Sequence, residues 1–128
     1  MLFHIDANSS TPIYRQLEQQ VREAIVCGRL SGGDRLPSLR EVAAELVVNP
    51  LTVKQAYGQL EREGLIETSR GRGTFVRGDG GKALRRRVER QLHGGMAELA
   101  GGARRAGMQR REFLKLAGEA WDTAEGAR

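Results

Sequence analysis

Apolar residues recur every three or four positions in five stretches of the chain, and this spacing predicts α-helices. In the first stretch four positions share one helical face: Ile13, Leu17, Val21 and Ile25. Thr11 is expected to cap this helix with its side-chain oxygen, and Pro12 suits the first helical position. Gly28 is expected to end the helix.

Two shorter helical patterns follow, separated by a break at Val47 and Val48. The first of them opens at Ser38, and the pair Ser38 and Glu41 fits a capping box, in which each side chain bonds the other residue's backbone amide. The second opens with Asn49 as N-cap and proline at the first helical position. The pattern therefore predicts a helix, a tight turn and a second helix.

A basic hairpin is predicted directly after these helices. Residues 66–68 and 74–77 have the composition of two short strands, and the sequence between them is Ser-Arg-Gly-Arg-Gly. Gly71 permits positive φ in the turn, so Arg70 and Arg72 would project from its tip. A purely solubilising hairpin is less favoured, because two arginines share one tight turn.

The C-terminal part has two further helical patterns beyond an expected linker at residues 79–81. The first carries an apolar stripe that crosses Gly94 and Gly95, where the helix would kink or admit a partner helix closely. The stripe comprises Leu84, Val88, Leu92, Met96, Leu99, Ala103 and Ala106. The second pattern spans residues 109–124. These stripes have too little core to cover them within one chain, so we expect pairing with a second copy through residues 82–124.

Composition and charge indicate the class of binding partner and the cellular compartment. The 128 residues carry a net charge of +5 with a pI near 10.1, which fits a polyanion such as nucleic acid. The single cysteine, Cys27, excludes a disulfide within one chain and is expected to be a buried structural thiol. The absence of a long apolar run or a signal-peptide pattern predicts a cytoplasmic protein without a membrane partner.

Several exposed polar positions suggest contacts with DNA. Arg40, in the first turn of its helix, could reach a phosphate or a base edge, or it could simply pair with Glu41 or Glu45; position alone favours neither. The first turns of the following helix expose side chains of a size that fits a DNA groove: Leu51, Thr52, Lys54 and Gln55. The second helix of a helix-turn-helix unit reads bases with its N-terminal residues.

Four motifs between residues 12 and 76 resemble the GntR family of bacterial transcription regulators. They read P-I-Y-x-Q-L, G-D-R-L-P-S-x-R-E-V-A, V-N-P-x-T-V-x-x-A-Y-x-x-L-E-x-E-G-L-I and G-x-G-T-F-V. The motifs V-N-P-x-T-V and A-Y, together with a short C-terminal part, resemble those of the YtrA subfamily. This resemblance implies two C-terminal dimerisation helices and a repressor encoded beside an ABC-type transporter operon.

The resemblance also implies which residues contact DNA. Arg40 corresponds to the family's arginine at the start of the second helix, and its assignment to DNA is strengthened accordingly. The family's recognition-helix positions correspond to Asn49, Pro50, Leu51, Thr52 and Lys54, and its wing-tip contacts to Arg70 and Gly71, with Arg72 adjacent. Many members carry arginine where this chain has Pro50, so base readout is expected to depend more on the other positions.

The expected fold is mainly α with a small β-wing. A winged helix-turn-helix DNA-binding domain is expected over residues 1–78, and a two-helix dimerisation and effector region over residues 79–128. The expected function is a homodimeric repressor that binds double-stranded DNA at a palindromic operator. A small-molecule effector, still unidentified, would act between the wing domain and the dimer helices.

A protein-interaction adaptor or antirepressor that binds DNA weakly is the alternative, and Pro50 is its best support. No cofactor, metal or enzymatic activity is expected. The chain has no paired-carboxylate, Ser/His/Asp, Cys/His or phosphate-loop pattern, and His4 and His93 lack metal-ligand spacing.

Overall fold

The computed structural model describes residues 2–124 of the chain. Their elements, in order, are α1 (Ile13–Val26), β1 (Arg35–Leu36), α2 (Leu39–Leu46), α3 (Pro50–Arg62), β2 (Ile66–Ser69), β3 (Gly73–Val76), α4 (Gly80–Arg105) and α5 (Arg110–Thr123). The chain divides into two compact units between Arg85 and Arg86. The predicted class, mainly α with a small β-wing, is confirmed.

The start of α1 differs from the sequence-based expectation. The helix begins at Ile13 with Pro12 in the cap position, and no side chain caps it. The carbonyl of Pro12 instead accepts the backbone N–H groups of Arg15 and Gln16, each at 3.1 Å. Thr11 is therefore not the N-cap: the extended conformation of Pro12 (ψ 149°) places Thr11 one residue too far from the first helical amides.

The turn between α2 and α3 is built from local caps at both sides. The Ser38 hydroxyl accepts the Glu41 N–H at 3.1 Å, while the reciprocal bond of the capping box is not formed in the described residues. Asn49 caps α3 by accepting the Leu51 N–H at 2.9 Å. Val47 ends α2 in the left-handed region (φ 55°) with 89% of its surface exposed, a conformation that is unfavourable for a β-branched residue.

Helix α3 is the centre of the first unit, since it packs against α1, α2 and β2. Four of its side chains are buried: Val53, Ala56, Tyr57 and Leu60. The Tyr57 hydroxyl donates to the Pro37 carbonyl oxygen at 2.7 Å, directly before the Ser38 cap. Burial raises the pKa of Tyr57 well above its usual range, with a smaller contribution from the charge of Glu41. The neutral hydroxyl thus fastens α3 to the start of α2.

A partly buried ion cluster joins α1 to the end of α3. Arg22 makes a two-pronged contact with Glu63, Nε to Oε1 at 2.9 Å and Nη2 to Oε2 at 2.5 Å. Its Nη2 also donates to Glu18 Oε1 at 3.1 Å, and Glu18 is buried. The hydrogen bond to Glu63 is the main cause that raises the pKa of Arg22. The charge of Glu18 is compensated in this way, as a buried carboxylate requires.

The sheet is antiparallel with strand order β1-β3-β2. Thr68 pairs with Thr74 in the hairpin, and Leu36 pairs with Thr74 from the other side. The predicted hairpin is confirmed, with strand ends shifted by one residue. The Thr68 N–H donates to Glu61 Oε1 at 3.0 Å, so the wing is also tied to α3.

The expected linker at residues 79–81 is instead largely helical, because α4 begins at Gly80. A Cβ atom at Gly80 would lie 3.0 Å from the Gly64 carbonyl oxygen, so the first turn of α4 approaches the end of α3 closely. Leu84 is buried in the core of the first unit and is thus not part of an exposed stripe. The helix runs without a break through Gly94 and Gly95.

The second unit contains the rest of α4, and α5. The two helices are separated at Gly107, which has φ 82°. The Gln109 N–H donates to Glu112 Oε1 at 3.2 Å and helps to start α5. No helix within residues 2–124 has the length and apolar character needed to cross a membrane.

Cys27 is exposed, so the expectation of a buried thiol is wrong. It follows the last residue of α1, where the chain turns away from the core. The Arg29 guanidinium Nε donates to Cys27 Sγ at 3.1 Å, and this contact lowers the pKa of the thiol.

We expect Tyr57→Phe to lower the free energy of unfolding in urea by about 1–3 kcal/mol, because it removes one hydrogen bond and leaves the Pro37 carbonyl without a partner. Tyr14→Phe is the matched control, since Tyr14 is half-buried and no hydrogen bond of its hydroxyl is found in the described part of the chain. Equal losses in the two variants would contradict the assigned role of the Tyr57 hydroxyl.

We expect Cys27 to react with iodoacetamide with a pH midpoint below about 8.5, the usual value for a free thiol. A lowered pKa means that the reactive thiolate is present at lower pH. Arg29→Ala should move the midpoint back up toward that value. A wild-type midpoint at or above it, measured by mass spectrometry of the alkylated protein, would count against the Arg29 contact in solution.

Candidate nucleic-acid interface

An open groove of about 830 Å³ lies between the start of α2, the outer face of α3 and the sheet. All three elements belong to the first unit. The bond from Tyr57 to Pro37 and the bond from Thr68 to Glu61 hold the groove walls at fixed positions around α3. The groove therefore brings exposed side chains of three elements onto one surface.

Arg40 and Lys54 line this groove together, from α2 and α3 respectively. Arg40 is exposed, and within residues 2–124 it forms no ion pair with Glu41 or Glu45. The alternative interpretation, in which Arg40 pairs with one of these carboxylates, is not what the structure has. Both cations are thus available to a negatively charged partner.

The outer face of α3 supplies one wall of the groove. Its residues there follow helical spacing: Leu51, Lys54, Gln55 and Gly58. Gly58 has no side chain, so this wall is low in the middle of the helix. Leu51 is 68% exposed, in contrast to the buried residues of the opposite face.

The other predicted residues of the α3 start are arranged differently. Asn49 lies outside the groove lining, and its side-chain Oδ1 accepts the Leu51 N–H. Pro50 is exposed, and Thr52 is half-buried with its N–H donated to the Asn49 carbonyl at 2.9 Å. Among the predicted recognition-helix residues, only Leu51 and Lys54 line the groove.

The wing tip stands apart from the groove lining. Arg70 and Arg72 are exposed in the turn between β2 and β3, and the Arg72 N–H closes the turn on the Ser69 carbonyl at 2.9 Å. Gly71 has φ 81°, the left-handed conformation that this turn requires and that glycine adopts without strain. Both guanidinium groups therefore extend from a defined turn.

Arg35 is a groove residue that sequence reasoning missed. It lies on the two-residue strand β1, opposite Phe75 of β3. Its guanidinium passes over Gly73, where an added Cβ would come within 3.1 Å of Arg35 Nε. The available signal was its place in the G-D-R-L-P motif, but strand pairing across about forty residues brings it to the groove.

The groove has the chemistry of a phosphate-binding surface. Arg35, Arg40, Lys54 and Arg62 line it with donors, while the groove carboxylate Glu61 accepts the Thr68 N–H. Guanidinium groups suit both phosphate oxygens and the acceptor edge of guanine. Among residues 2–124, no cluster of three or more His, Cys, Asp or Glu side chains could hold a metal ion.

A comparison with protein families matches residues 13–76 to the bacterial regulatory proteins of the gntR family. The chain is 53% identical over 75 residues to the HTH-type transcriptional repressor YtrA of Bacillus subtilis, a stretch that covers 59% of this chain. The match covers 58% of that repressor, so the two are aligned over little more than half of the relative's length.

Solved structures extend the comparison. A GntR family transcriptional regulator from Listeria monocytogenes matches 90% of this chain and 98% of its own, with 30% identity and a TM-score of 0.69. The DNA-binding domain of AraR, in complex with operator ORX1, matches 58% of this chain and 92% of its own, with 26% identity and a TM-score of 0.51. This chain belongs to the GntR family of bacterial regulatory proteins and is similar within it to YtrA.

Proposed function

We propose that this DNA-binding transcription regulator is a repressor that acts in the cytoplasm as a homodimer on a palindromic operator, such as that of a transporter operon. The observation that carries the proposal is the groove in which Arg40 and Lys54 converge beside an arginine-tipped wing. Each protomer would place α3 in a major groove and lay the wing along the adjacent backbone.

The residues divide by the part of DNA that they would contact. Arg40 and Lys54 are exposed residues of the groove lining and would reach base edges or the phosphates beside them. Arg70 and Arg72, with Gly71 between them, would contact phosphates or the minor groove. Arg35 adds a further cation between these two regions.

The exposed apolar face of α4 supports the homodimer. Leu92, Met96 and Leu99 share one helical face and are 61%, 44% and 65% exposed. Exposure of such a stripe to water is unfavourable. Its burial between two copies would stabilise the dimer by about 25 cal/mol per Å² of apolar surface. A second copy supplies an identical stripe and the two-fold symmetry of a palindrome.

The charge order of α5 supports the same partner. Arg110 and Arg111 outnumber Glu112 in its first turn, and Asp122 lies in its last turn, so the net charge at each end is the reverse of what the helix dipole favours. Antiparallel pairing with a second α5 sets the basic start of one helix against the acidic end of the other. Trp121, 83% exposed, would then meet the start of the other helix, where α4 and α5 leave a groove of about 590 Å³.

One titration of DNA duplexes with the protein distinguishes the repressor from the alternative adaptor function. Fluorescent duplexes from the protein's own promoter region are compared with a scrambled duplex at two salt concentrations. We expect saturable binding of two protomers to one palindrome, with affinity that falls steeply as salt rises, because phosphate contacts release counterions. Equal, weak binding to both duplexes would overturn the proposal and favour the adaptor.

We expect Arg40→Ala to weaken operator binding by about 1–3 kcal/mol at fixed salt while scrambled-duplex binding changes less, if Arg40 contacts a base. Arg90→Ala removes an arginine from α4 that is also exposed, and it serves as the control, with operator affinity close to wild type. Unchanged operator affinity in Arg40→Ala would remove Arg40 from the recognition site.

We expect the double substitution Leu99→Glu and Trp121→Glu to convert a dimer into a monomer in sedimentation velocity, because it places charge on both exposed apolar faces. Arg90→Glu is the matched control, since it adds the same side chain on the opposite face of α4. A dimer that persists in the double variant at micromolar concentration would exclude these faces as the interface.

A further inference from the structure

The start of α3 exposes three hydrocarbon side chains beside the polar Asn49 and Thr52. Leu51 is 68% exposed at the second helical position, and Val47 is 89% exposed in the turn just before it. Pro50 lies between them in sequence and is also exposed. These three side chains offer no hydrogen-bond donor or acceptor.

The backbone at this helix start is equally without free donors. Pro50 has no N–H, and the Leu51 N–H is donated to Asn49 Oδ1 at 2.9 Å. The Thr52 N–H is donated to the Asn49 carbonyl oxygen at 2.9 Å. A helix start with free amides would hold a phosphate, whereas these three amide positions have none to offer.

Leu51 also lines the groove, with Arg40 and Lys54 beside it. Cations on both sides would hold the DNA backbone and base edges near this hydrocarbon surface. In the major groove the apolar group that a base presents is the C5-methyl of thymine. A hydrocarbon surface placed among cations on the reading face therefore fits thymine.

We propose that Leu51, supported by Pro50 and Val47, reads thymine by contact with its C5-methyl group. This inference rests on the proposed function and refines it, since it assigns a base preference to a defined part of α3. Each operator half-site then contains a thymine beneath the start of α3. Specificity for that thymine would then need no hydrogen-bond donor on the side chain of residue 50.

Single thymine-to-uracil replacements in the operator test this inference, because each removes one methyl group and leaves the base-pairing edge unchanged. For the wild-type protein we expect about fourfold weaker binding when the contacted thymine is replaced, because this factor corresponds to the free energy of burying one methylene-sized group. Uracil at thymines outside the half-sites should have no effect. Equal affinity for every uracil-substituted duplex would overturn the inference.

Leu51→Ala provides the second arm. Leu51 is exposed, so the variant should keep its fold, which circular dichroism verifies. We expect it to bind the thymine and uracil operators nearly equally, so that the fourfold difference disappears. The same thymine preference in Leu51→Ala would assign the effect to DNA shape and overturn the inference, as would a loss of self-association without a change in DNA discrimination.

Failure of this inference and failure of the proposed function give different results. A protein that prefers its operator to a scrambled duplex but ignores uracil at every position is a sequence-specific regulator that does not read the thymine methyl group. A protein that binds both duplexes weakly and equally contradicts the repressor itself. The uracil series is therefore measured on the operator that the first titration defines.

Discussion

The hydrogen bond from the Tyr57 hydroxyl to the Pro37 carbonyl is the contact on which the reading surface depends. It joins the buried side of α3 to the residue before the α2 cap by a bond of 2.7 Å, and so adds a directed contact to the apolar packing between the two helices. Arg40 stands two residues beyond that cap, and Lys54 stands on α3 itself. A change in the bond would alter the spacing of the two cations, whereas loss of either cation would leave the scaffold intact.

Local signals predicted most of this scaffold. The apolar period, Ser38 as cap and the pair Asn49 and Pro50 predicted the starts of α2 and α3 because caps act within a single turn. The cap of α1 was predicted one residue too early, at Thr11 and not Pro12. Other predictions failed where distant packing decides. Gly80 reads as a linker but starts a helix packed beside Gly64, and the last residues of α1 turn Cys27 into solvent. The groove position of Arg35 depends on a strand pairing that no local pattern contains.

The proposed interface would combine two kinds of interaction with different ranges. Arg35, Arg40 and Lys54 line the groove and would attract a polyanion over distances comparable to the Debye length, about 10 Å at 0.1 M salt. Leu51 would act only in direct contact, and its contribution would not decline with salt in the same way. Cations would therefore bring the protein to any duplex, and contact chemistry would decide where it stays. The Pro50 departure fits this division, because a hydrocarbon front needs no arginine.

Val47 shows how such a surface is maintained at the expense of the fold. Its left-handed backbone costs about 1–2 kcal/mol relative to a residue that adopts it freely, and its side chain covers no core in return. On the proposed thymine contact, glycine at position 47 would relieve the strained backbone and would also remove part of the hydrocarbon surface beside Leu51. Stability and base preference would then change in opposite directions at this one position.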